Sequence, residues 1–163
     1  MAVGRETTGI LARAETLLRS GEIGSSMVRK SGRIGTPIAV LEPGGGLHSW
    51  FVPVAIGNRL AGFLQLLPDL TMMRYSSFQR RDDSMEGCPP EESWIDAETV
   101  RRRARESARP GETLGEPFLT YDQAPSRLAW AVPLTSPDGA TRTLHVAGRA
   151  VWEAPPPNRA GDG

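Results

Sequence analysis

GTPIAVLEPGGGLHSWFVPV (Gly35–Val54) and GEPFLTYDQAPSRLAWAVPL (Gly115–Leu134) align without a gap at a constant offset of 80 positions. Gly35 meets Gly115, Pro37 meets Pro117, Trp50 meets Trp130, Val52 meets Val132 and Pro53 meets Pro133. Between these anchors, Ile38 meets Phe118, Leu41 meets Tyr121, Glu42 meets Asp122 and Val54 meets Leu134. Tryptophans and prolines kept in register point to an internal duplication, and a repeat constrains architecture before any other feature.

The flanking segments extend the repeat. Ile10, Leu11, Ala14, Leu17 and Leu18 recur with helical spacing, and Gly21 is placed to stop that helix. Before the second copy, Asp96 is an N-cap candidate, with Ile95 and Val100 as a hydrophobic staple and Ala104 and Ser107 continuing the face. Gly57-Asn58 predicts a tight turn into a strand over Leu60–Leu66, and Asp138-Gly139 precedes the alternating Leu144, Val146 and Val151. The expected class is therefore α+β: a helix-strand-strand-strand unit present twice, with helices packed on antiparallel sheet. The expected boundaries are 1–70 for the first unit, 71–94 for a linker, 95–153 for the second unit and 154–163 for a disordered tail, in one compact domain overall. The linker is expected to hold an extra strand near Met72–Phe78 and then a loop through Pro90.

In a strand, Trp50, Val52 and Val54 share one face, as do Trp130, Val132 and Leu134. The tryptophans are expected to anchor cores, with an aromatic-lined groove as the functional alternative. Pro53 and Pro133 fall on the opposite face. Each lacks a ladder donor, which places it on an edge strand or at a bulge.

The composition describes an ordinary folded chain of 163 residues, 39% apolar and 23% charged, with 19 acidic and 19 basic side chains. That balance leaves no global field to attract nucleic acid or an acidic membrane. Cys88 stands alone, so no intrachain disulfide framework is expected. Charges interrupt the apolar positions of the N-terminal segment, and no long apolar run follows. Neither a secretory leader nor a membrane span is expected, and a cytoplasmic protein is the simplest expectation.

Chemistry-bearing residues are scattered. A nucleophile needs a neighbouring base, but Cys88, His48 and His145 have no supporting spacing, and His145 alternates as though facing solvent. The same three residues form no metal-ligand cluster, and no metal or cofactor is expected. The glycine run Gly44-Gly45-Gly46 joins two strands rather than leading into a helix, unlike a phosphate loop. Asp82 and Asp83 lack further oxygen ligands and read as a solvated loop. Arg101, Arg102, Arg103 and Arg105 crowd the second helix; their ordinary role is a solvated face paired with Glu98 and Glu106, and their functional role would be phosphate binding.

The order of elements, with WFVPV (Trp50–Val54) ahead of a GN turn and IDAETVRRRARESA (Ile95–Ala108) ahead of WAVPL (Trp130–Leu134), resembles the PepSY type of small module found in peptidase propeptides and regulatory proteins. The acidic strand end and Thr-Gly turn familiar in that family are replaced by LQLLPDL (Leu64–Leu70) and RAVWEAP (Arg149–Pro155). The resemblance implies a non-catalytic module that binds a protein partner or restrains a peptidase, and it carries over no site residues.

The resulting expectation is a binding or regulatory protein, not an enzyme, that recognises a protein or peptide through sheet surface or linker. The main alternative is a small-molecule binding protein or divergent enzyme, with a pocket between the repeats near Trp50, Trp130 and Tyr121. Nucleic-acid binding through Arg101, Arg102 and Arg105 ranks last.

Overall fold

The computed structural model describes residues 2–155, with side chains from Glu6 onward; most of the expected tail, residues 156–163, lies outside them. The chain divides into two units, Met1–Asp96 and Ala97–Gly163. Both are α+β, and the strand pairings within each are antiparallel.

In the first unit, α1 (Ala2–Ser20) buries Ile10, Ala14, Leu17 and Leu18, the stripe expected from their spacing. Gly21 follows at φ +85, a left-handed conformation that glycine adopts at little cost after a helix. A short α2 (Ser26–Ser31) is capped by the Ser25 hydroxyl, which accepts the Val28 N–H at 3.2 Å. The strands are β1 (Arg33–Ile34), β2 (Ile38–Leu41), β3 (Leu47–Ile56), β4 (Arg59–Leu66) and β5 (Met72–Ser77). They run in the order β2-β3-β4-β5, and β1 pairs with the far end of β3. The expected strand near Met72 is thus present, paired with β4.

Val52, Val54, Leu64 and Leu66 meet the helices in one continuous core. On the other face, Phe51 stacks on Phe63 at 4.6 Å between ring centroids. Phe78 and Trp94, from the chain after β5, pack over them at 5.9 Å from Phe63 and 6.3 Å from Phe51. That chain ends in α3 (Glu92–Ile95) and is pinned to β4 by Leu60 N–H donating to Pro89 carbonyl and Arg59 Nη1 donating to Cys88 carbonyl. Both faces of β3 and β4 are covered, so these strands read as nearly continuous apolar runs.

The second unit contains α4 (Ala97–Glu106), β6 (Thr113–Leu114), β7 (Phe118–Tyr121), β8 (Leu128–Thr135), β9 (Thr141–Ala147) and β10 (Ala150–Glu153). Its order is β7-β8-β9-β10, with β6 on the far end of β8. Val100 and Ala104 of α4 are buried, as are Trp130, Val132, Leu134, Leu144 and Val146 on one face of the sheet. The segment read as one strand past Gly148 is two: Gly148, at φ +59, and Arg149 form a two-residue hairpin.

The prolines occupy equivalent positions in the two units. Gly35 N–H donates to Pro53 carbonyl at 2.9 Å, and Gly115 N–H donates to Pro133 carbonyl at 2.8 Å. Ile34 faces Val54 and Ile38 faces Phe51, so three residues stand opposite two. Leu114 and Phe118, facing Leu134 and Ala131, repeat this arrangement. Each proline lies in an interior strand, and the extra residue opposite it lies in the short segment that joins β1 to β2 or β6 to β7.

Candidate functional site

β10 is a terminal strand of the second unit's sheet. Its hairpin pairs Ala150 with Ala147, and Ala154 N–H donates to Thr143 carbonyl at 2.9 Å. Ladder alternation then turns the backbone groups of Ala150 and Trp152 toward β9 and those of Val151 and Glu153 away from it. Trp152 is fixed in place: its Nε1–H donates to Asp122 Oδ2 at 3.1 Å, and its ring meets His145 edge-on at 5.5 Å.

Asp122 and His145 are only 4% and 6% exposed. Arg127 Nη2 lies 3.6 Å from Asp122 Oδ2, and His145 Nδ1 lies 3.9 Å from Asp122 Oδ1, too long for a hydrogen bond. The expectation that His145 faces solvent is therefore wrong. Alternation assumes one solvated face, whereas β9 is an interior strand packed on both. Burial holds the imidazole below its ordinary value, partly opposed by Asp122. Eighty positions before His145, within the first unit, Gln65 is likewise a buried polar side chain: it donates to Ser49 Oγ at 2.8 Å and accepts from Arg74 Nε at 2.9 Å.

A second feature of this unit is a cleft of about 550 Å³ beside α4, lined by Arg101, Arg105, Arg109, Glu112 and Thr113 among others. Arg101 and Arg105 are one helical turn apart. Arg101 donates to Glu116 Oε1 at 2.6 Å and to Glu98 Oε1 at 3.4 Å. Glu112 is engaged on several sides. Arg142 grips both its oxygens at 2.8 and 2.7 Å, and Arg109 N–H donates to it at 2.6 Å. These donors hold its carboxyl down at about 2. Arg142 Nη2 also donates to Ser107 carbonyl just past the C-terminus of α4, satisfying an acceptor there.

Of the residues singled out from sequence, the structure brings Arg101 and Arg105 into this cleft, while Arg102 stands exposed outside it. Trp130 is buried, 5% exposed, and Trp50 packs half-buried against the first unit's helix-side core. Tyr121 is half-buried on β7 opposite Leu128. Sequence reading passed over Arg109, which continues the spacing of Arg101 and Arg105, and the Asp122–His145–Trp152 cluster, which only the hairpin assembles. Cys88 is buried in the first unit, and burial raises its thiol pKa.

Among the described residues, no group of three or more His, Cys, Asp or Glu could hold a metal ion, and no helix is long and apolar enough to cross a membrane. Comparison with protein-family models, curated proteins and solved structures found no match to this chain.

Proposed function

We propose that this is a non-enzymatic binding or regulatory protein that takes an extended segment of a protein or peptide partner onto the edge of β10. The outward register of Val151 and Glu153 carries this reading, since an added strand would use those backbone groups for ladder bonds. Among the described residues, Leu47 is the large apolar side chain left exposed, so a broad apolar patch is not what the fold offers. β5 is also terminal, but β10 itself carries Trp152 as a pre-oriented aromatic anchor. With only two outward residues, recognition draws on side-chain contacts as well as ladder bonds.

The resemblance to PepSY-type modules supports the same reading and suggests a peptidase or its propeptide as the partner class. A cytoplasmic setting is part of the proposal. So is descent of both units from one duplicated ancestor, supported by their matching element order and proline registers.

The test is to pan a random peptide library against the wild-type protein and Val151→Pro. Proline at 151 removes an outward N–H while sparing the bonds to β9. The proposal expects peptides that bind the wild type and lose most of their affinity for the variant. Peptides that bind both equally, or no selected peptides, would count against it.

A further inference from the structure

We infer that the arginine-lined cleft of the second unit is a binding site for a small organic dianion, bearing a phosphate group or paired carboxylates. This site is separate from the strand-edge reading and does not depend on it. Three guanidinium side chains line one concavity in a chain whose charges balance overall at 19 each, so part of its basic charge is gathered there. Its volume of about 550 Å³ suits a small metabolite.

The lining holds three arginines against one carboxylate, Glu112. Glu112, the acidic residue of the lining, is already gripped by Arg142 from outside the lining set. Arg101 is held by Glu98 and Glu116, whose side chains are 77% and 88% exposed, and its Nε is buried without a hydrogen-bond partner. Arg105 and Arg109 have no carboxylate salt bridge among the described residues. The C-terminus of α4 would repel an anion through its carbonyls, but Arg142 occupies the Ser107 carbonyl and offsets that field. A bound oxyanion would accept from the planar forks of Arg105 and Arg109, the geometry for which arginine is suited. Glu112 bonds the backbone N–H of Arg109 and so fixes where that fork originates.

Isothermal titration of the full chain at low ionic strength tests this with pyrophosphate, succinate and a single-stranded oligonucleotide as probes. The inference expects pyrophosphate or succinate to bind, and the double variant Arg105→Ala/Arg109→Ala to weaken that binding by roughly tenfold or more. Arg102→Ala removes an equal charge outside the cleft and should leave binding within about twofold of wild type. Thermal melting of each variant checks that the fold is intact. Failure of both small anions to bind would overturn the inference. So would equal weakening by Arg102→Ala, which would mean a diffuse field, or tighter binding of the oligonucleotide than of either small anion.

Discussion

Tyr75 carries a buried hydroxyl with no hydrogen-bond partner, and burial pushes its pKa up to about 12. Tyr75→Phe keeps the ring and removes the orphan donor, so it should leave stability unchanged or raise it by up to about 1 kcal/mol in urea unfolding. Gly62 gives the opposite result. A Cβ there would sit 2.4 Å from Ser76 carbonyl and 2.5 Å from the Tyr75 hydroxyl, so Gly62→Ala should destabilise the protein. Trp130→Ala should cost about 3–5 kcal/mol, because the side chain is a core anchor. That role was legible in the sequence: Trp130, Val132 and Leu134 alternate against polar or small neighbours. His145 was not legible by the same rule, because its burial depends on Asp122 and Trp152, brought beside it by neighbouring strands.

At the scale of elements, the sequence revealed helix stops, the Gly57-Asn58 hairpin and the matched prolines, since each is written in local backbone chemistry. It did not reveal where the accommodation lies, because Pro53 states only that a donor is missing and the segment from Gly35 between β1 and β2 supplies it. Nor did it show that the chain after β5 covers a sheet face. Its second half is rich in charge, Gly and Pro, and its aromatic contacts come from two widely spaced residues, Phe78 and Trp94. Two side chains of the second unit should make stability depend on pH. His145 titrates below its ordinary 6.5 in the fold, so the unfolded chain takes up that proton first. Stability is full above about pH 6.5 and falls as pH drops toward the folded value. Glu112 adds a second decline between its ordinary 4.5 and about 2, where its grip on Arg142 is lost. Thermal melts across this range should show both declines, and His145→Gln should flatten the upper one alone.

For the whole molecule, the sequence conveyed the α+β class, since helix and strand signals are written locally along the chain. Its candidate binding features were only partly legible. Arg101 and Arg105 stood out only as members of the arginine crowd on the second helix, whereas the cleft also needs Arg109 from the following loop. The edge of β10 depends on the Gly148-Arg149 hairpin, which alternation alone reads as a continuous strand. Recognition of a partner segment by that edge has a residue-resolved consequence for amide protection. Hydrogen–deuterium exchange should be measured by NMR on the free protein and on its complex with a library-selected peptide. On binding, the amides of Val151 and Glu153 should slow, while that of Trp152, already bonded toward β9, should change little. Unchanged exchange at Val151 and Glu153 in a saturated complex would contradict recognition by that edge.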